Sequence, residues 1–304
     1  MVNRIKELTD RNIQIGTRNA EIVGTFYGNL SSNIGILAFP GFTEHRSSLD
    51  ELCKMLSKEF KVWAFDINSQ GDSTGNWDLR EIIESVYEIQ RCLKDHYGLR
   101  KIGAYGNSIG GMAAGLNANE GSNIESICLT STPAALQDIV PWYNRLLLKS
   151  IPQSLVRYGT IQYDKTESLK NENYRNKSHV QFLTKEEYRP YAQFGAMKIP
   201  SLKNVMKWIG KAPRLDKYAG EITKPALLIY GGEDHMLGIK DSKLPKKIQR
   251  MYYSIASKEK MLVIFKGADH SLNSKTQTDD CFNKGPEYGL VKKFIMDHFG
   301  HYFL

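Results

Sequence analysis

Apolar and polar positions along this chain follow one rhythm, lose it, and then resume it. The pieces IQIGT (13–17) and EIVGTFYG (21–28) alternate with period two across a short turn, which predicts an antiparallel hairpin. NIGILAFPG (33–41) is continuously apolar and stops at Pro40 and Gly41, as a strand buried on both faces does. KVWAFD (61–66), KIGAYG (101–106) and IESICLTST (124–132) read as further strands. Between them lie three stretches with apolar residues three or four apart. These are SLDELCKMLSKEF (48–60) with a serine cap, WDLREIIESVYEIQRCLKDHYG (77–98) ending at Gly98, and IGGMAAGLNAN (109–119). Strands alternating with helices predict an α/β fold: a mostly parallel central sheet with helices on both faces.

The rhythm breaks near Pro133. Residues 133–221 contain the helix-like pieces AALQDIVPWYNRLLLKS, KEEYRPYAQF and LKNVMKWIG, with eleven aromatic residues from Trp142 to Tyr218. The strand–helix alternation returns with PALLIYGGEDH (225–235), LPKKIQRMYYSIAS (244–257), KMLVIFKGADHS (260–271) and GLVKKFIMDHF (289–299). The pattern predicts a core made of residues 1–132 and 222–304, interrupted by a helical cap insertion over 133–221.

Composition narrows the setting. At 304 residues, 41% hydrophobic and 24% charged, the chain is ordinary globular material. No apolar run approaches the ~20 residues that span a bilayer, and MVNRIKELTD lacks the apolar segment of a secretory signal. Its four cysteines have no C-x-x-C spacing, so a cytoplasmic protein with free thiols is expected. The net charge of +8 is concentrated: residues 134–220 hold 15 Lys or Arg against 7 Asp or Glu. Such a basic segment suits an anionic ligand or acyl carrier. Its charges are dispersed and no nucleic-acid motif accompanies them, so no nucleic-acid partner is expected.

The candidate chemistry centres on Ser108, flanked by Gly106 and Gly110 between a predicted strand and helix. A serine hydroxyl needs a general base, usually histidine, which a carboxylate in turn orients. In a parallel sheet such groups sit on loops beyond the carboxyl ends of strands. His96, His298 and His301 fall in or near helical stretches, and His179 in a polar part of the insertion. His45 follows FPGFT and is a candidate substrate contact. His235 and His270 both follow strands, and His270, after MLVIFKGAD, is the expected base. Asp234, ending LLIYGGED, is the expected acid, with Glu233 its competitor one position away. Asp269 adjoins His270, and neighbouring side chains diverge. The backbone N–H groups of Ile109 and of Phe42 in the FPGF loop are the expected oxyanion donors. No metal site is expected, and the chemistry calls for no cofactor.

With G-x-S-x-G at Gly106–Gly110 and the order Ser108, Asp234, His270, the chain resembles the α/β-hydrolases. More narrowly it resembles the monoacylglycerol lipase, lysophospholipase-like and S33 serine aminopeptidase-like group. PGFTEH (40–45) matches that group's H-G-x-x-E-H loop except at Pro40. DINSQGDSTG (66–75) matches its D-x-R-G-x-G-x-S stretch at Asp66, Gly71 and Ser73, with Asn68 in place of Arg and Ser69 in place of Gly. The likeness covers about residues 30–130 and 222–300. It implies acyl-group hydrolysis through a Ser108 acyl-enzyme with His270 as base. A serine rather than aspartate nucleophile speaks against haloalkane or epoxide hydrolysis.

The expected activity is therefore hydrolysis of a small-molecule carboxylic ester, with Trp142, Tyr143, Tyr188 and Trp208 as candidate acyl-pocket residues. The alternative is a thioesterase or acyltransferase serving an anionic acyl carrier or coenzyme A through the basic insertion. A peptidase and a non-catalytic binding protein of the same fold are the remaining readings.

Overall fold

The computed structural model describes residues 5–9, 11–28, 31–42, 44–139, 160–162, 179–181, 208–272 and 286–304. The hairpin expected near the N-terminus is β2 (Asn12–Gly16) and β3 (Glu21–Tyr27), extended at its edge by β1 (Ile5–Glu7). The apolar runs become β4 (Ile34–Phe39), β5 (Lys61–Phe65), β6 (Lys101–Asn107) and β7 (Ile124–Thr130). After a small antiparallel pair, β8 (Thr160–Gln162) and β9 (His179–Gln181), come β10 (Ala226–Gly231) and β11 (Lys260–Phe265).

Nine of these strands form one sheet in the order β1-β2-β3-β5-β4-β6-β7-β10-β11. The pairs from β1 through β3 to β5 are antiparallel. Every pair from β5 to β11 is parallel. Alternate residues feed two cores, as strand geometry requires. Leu37, Trp63, Leu129 and Leu228 face one core together with Ile82, Val86 and Met112. Ile36, Val62, Cys128 and Ile229 face the other with Leu52, Leu56, Val291 and Phe299. The first core lies under α2 (Leu79–Tyr97) and α3 (Ile109–Leu116), the second under α1 (Asp50–Leu56) and the closing helix.

Local chemistry sets the helix ends. Asp78 caps α2 by accepting the Arg80 N–H, and Gly98 ends it at φ 60°, a left-handed conformation that glycine adopts without strain. The helix expected over 48–60 is shorter. A 3₁₀ turn at Arg46–Leu49 precedes α1, and the cap is the His45 ring, which accepts the Ser47 N–H. The chain turns back after Leu56 because Phe60 is fully buried at the entry to β5.

The chain runs from β4 to β5 on one side and then crosses to β6 on the other. The carboxyl ends of β4 and β6 therefore bracket the switch point where parallel sheets form ligand crevices.

The interruption has a clear seat. It leaves after β7 and returns into β10, which lie side by side with Ile127 opposite Ala226. Its ends are tied together just above the sheet. Gln137 Nε2 donates to the carbonyls of Ile209 (2.7 Å) and Ala212 (3.2 Å), and Asp216 N–H to that of Ala134 (3.0 Å). Between those ties the described residues are α4 (Leu136–Ile139), β8, β9 and 208–211. After them come α5 (Leu215–Tyr218), α6 (Lys246–Ser254) and α7 (Pro286–Phe303). Among the described residues no helix is long and apolar enough to cross a membrane.

Candidate active site

Ser108 stands between β6 and α3 with φ 51° and ψ −113°, a backbone region that costs a non-glycine residue about 1–3 kcal/mol. Its surroundings hold it there. Its N–H donates to Thr130 O on β7 (2.8 Å), and its carbonyl accepts the Met112 N–H (3.1 Å). The flanking glycines allow the close approach. A Cβ on Gly106 would lie 2.4 Å from the Gly110 carbonyl oxygen, and one on Gly110 2.4 Å from that of Phe39. The bend thus packs the start of α3 onto the ends of β6 and β4. The Ser108 side chain emerges at the switch point.

Two further strands deliver the partners expected for it. His270 follows β11, and its Nε2 lies 3.2 Å from Ser108 Oγ. Its Nδ1 lies 2.7 Å from Asp234 Oδ2, beyond the end of β10. The Asp234 side chain is fully buried, and its other oxygen accepts the Leu237 N–H at 3.1 Å. Nδ1–H facing a carboxylate leaves Nε2 free to accept the serine proton. Gly231 permits this closure, since a Cβ there would meet Asp269 O at 2.1 Å. The competing acid turns elsewhere: Glu233 Oε1 accepts the Asp241 N–H, and its Oε2 faces exposed His235 at 3.9 Å. Asp269 Oδ1 accepts the Ser271 N–H.

Ile109 opens α3, so its N–H belongs to the first-turn donors that have no acceptor within the helix, at the positive end of the helix dipole. Phe42 lies in the loop after β4. Its N–H has no hydrogen-bond partner among the described residues, and its ring packs edge-on against buried Trp77, centroids 4.8 Å apart.

His45 has other company. Its Nδ1 is 2.9 Å from Ser47 Oγ, and its Nε2 is 3.6 Å from both Asp66 and Asp72. Both ring nitrogens of His45, the residue expected to contact substrate, thus face this polar cluster. His45, Asp66 and Asp72 are also the one group among the described residues spaced to hold a metal ion. The Arg46 guanidinium already stands there: its Nη1 pairs with Asp66, lies 2.7 Å from Asp72 and 3.0 Å from His45 Nε2. The arginine is a tethered cation in the position a metal would take. The nearby His45 ring and the Arg46 guanidinium hold the Asp72 carboxyl below the usual carboxylate range.

Trp208 packs, half-buried, against the larger core. Trp142, Tyr143 and Tyr188 lie outside the described residues. Sequence reasoning missed the polar neighbours of the Phe42 loop, Gln70 and Glu44. Glu44 was visible in PGFTEH without a role, and Gln70 carried no signal.

A family model described as serine aminopeptidase, S33, matches residues 33–277, most of the chain. The chain belongs to the S33 serine aminopeptidase family. This S33 protein also shares its fold, that of the α/β-hydrolases, with solved structures at low identity. An esterase of Pyrococcus furiosus is 16% identical with TM-score 0.62, the match covering 98% of this chain and 91% of that one. A monoacylglycerol lipase of Paleococcus ferrophilus is 19% identical with TM-score 0.58, covering 91% and 97%. A thioesterase domain from the curacin biosynthetic pathway is 16% identical with TM-score 0.61, covering 97% and 100%. No curated protein sequence matches this family member.

Proposed function

We propose that this protein is a serine hydrolase that cleaves a carboxylic ester through an acyl-enzyme. The observation that carries the reading is the contact chain from Ser108 through His270 to fully buried Asp234, at the carboxyl ends of three parallel strands. Ser108 Oγ attacks the ester carbonyl while His270 Nε2 takes its proton. Asp234 holds the Nδ1–H and stabilises the imidazolium. The carbonyl oxygen becomes an oxyanion between the N–H groups of Ile109 and Phe42. As the intermediate collapses, the C–O bond to the alcohol breaks and the alcohol leaves with the proton from His270. Water then attacks the acyl-enzyme with His270 again as base, which frees the acid and restores Ser108. The 3.2 Å Ser108–His270 distance is that of a resting site, which shortens when substrate binds.

In this reading the insertion over residues 133–221 decides which acyl group is accepted. Esterase and monoacylglycerol lipase neighbours of the same fold support the ester assignment. The excess of basic residues over 134–220 favours one second reading, a thioester substrate on an anionic carrier. A rate survey over acyl chain length with matched oxygen esters and thioesters, blanked with Ser108→Ala, tests both. Ser108-dependent turnover of oxygen esters is expected. Turnover confined to thioesters transfers the assignment to carrier-linked acyl chemistry, and Ser108-independent turnover overturns the proposal.

A further inference from the structure

Pro40 stands where the related loop motif has histidine, so the residue that opens the Phe42 loop has neither an N–H nor a polar side chain with which to anchor it. The anchors come from two other places. Gln70, fully buried in the loop after β5, donates through Nε2 to Gly41 O and to Glu44 O, both at 3.1 Å. Glu44 reaches back so that its Oε2 accepts the Gly41 N–H at 2.7 Å. The same oxygen lies 3.4 Å from Asn107 Nδ2 and 3.5 Å from Ser48 Oγ. Asn107 immediately precedes Ser108, and its Oδ1 lies 3.2 Å from Thr130 Oγ1. One carboxylate therefore joins the loop to the elbow.

The direction of these bonds matters more than their number. Gly41 C=O and Phe42 N–H belong to the same peptide unit, which is planar and trans, so the two groups point in opposite directions. Pinning the oxygen on Gln70 fixes the N–H on the other side of the loop. Glu44 removes the remaining freedom by holding the preceding N–H. A Cβ on Gly41 would come within 3.1 Å of Glu44 Oε2 and 3.2 Å of Asn107 Nδ2, so the anchor closes on a residue without a side chain.

We propose that Gln70 and Glu44 are positioning residues: together they clamp the Gly41–Phe42 peptide with its N–H aimed at the oxygen of the reacting carbonyl. The inference rests on the Ser108 hydrolase reading and adds to it a dependence on two side chains that touch no substrate. A misaimed donor weakens the transition state and leaves ground-state binding intact.

The test measures kcat and KM on a p-nitrophenyl ester and the Ki of a trifluoromethyl ketone, whose adduct with serine carries the oxyanion. Gln70→Leu and Glu44→Ala are expected to lower kcat at least about tenfold with KM within about threefold, and to raise Ki by the same factor as kcat falls. Glu44→Gln, which keeps an acceptor for the Gly41 N–H, is expected to lose clearly less than Glu44→Ala. If Gln70→Leu does not fold, the two Glu44 variants decide alone. Folded variants with unchanged kcat and Ki, beside an inactive Ser108→Ala, overturn the clamp and leave the hydrolase reading standing. So does a fall in kcat with Ki unmoved, the mark of a merely structural defect. A fully active Ser108→Ala overturns the reading beneath it.

Discussion

Two serine–histidine pairs touch β7, near opposite ends. At its carboxyl end the backbone of Ser108 bonds Thr130, and His270 stands 3.2 Å from the hydroxyl. Near its start Ser126 Oγ lies only 2.8 Å from His298 Nε2 on α7. The closer pair is the one with no catalytic setting. Ser126 is fully buried near the start of its strand, away from the sheet's carboxyl edge. Burial pushes the His298 pKa down to about 4, and among the described residues no carboxylate pairs with the ring to favour its protonated form. His270 has Asp234 behind it and a bent backbone presenting its serine. Proximity of serine and histidine is common chemistry in a folded chain. A carboxylate behind the ring and a place at the switch point distinguish a candidate nucleophile from a core hydrogen bond.

The comparison can be broken by exchanging the damage. Ser108→Ala is expected to lower kcat by about 10⁴- to 10⁶-fold, whereas Ser126→Ala leaves ester turnover within about twofold. Equal losses would erase the distinction. Asp234→Asn is expected to cost about 10³- to 10⁴-fold in kcat, because an amide no longer enforces the Nδ1–H tautomer or stabilises the imidazolium. The same rate measurements check it.

The pairs also separate by pH. His298 titrates near 4 in the folded chain and near 6.5 when unfolded. Between those values the unfolded state binds more protons, so stability is complete above about pH 6.5 and declines as pH falls toward 4. The loss amounts to at most about 3 kcal/mol. Thermal melts from pH 7 to 4 should follow that slope, and His298→Gln should flatten it. Smallest of all, Ser126→Ala should destabilise by about 1 kcal/mol at pH 7 by removing the hydrogen bond between Ser126 Oγ and the His298 ring, as a denaturant midpoint would report.

Some of this was legible in the sequence, and the reason is local. Ser108, Asp234 and His270 each follow an apolar run readable as a parallel strand, which directs all three to the same sheet edge. The strand–helix alternation carried the fold in the same way. β1 escaped because three residues at a sheet edge leave no periodic signal. The polar neighbours of His45 were not legible, because proximity in sequence to the FPGF loop says nothing about Asp66 and Asp72, which arrive from after β5. Gln70 was invisible for a related reason: its partners are backbone oxygens 26 and 29 residues away, and no side-chain pattern marks a carbonyl as needing a donor.

The ties joining Gln137 to Ile209 and Ala212 reach beyond stability. A stretch of chain that departs and returns through one knot, between two strands already in register, can change length or composition without disturbing the sheet beneath. The ends of β6, β10 and β11, which lead to Ser108, Asp234 and His270, have no such freedom, because each strand is held in register by its neighbours.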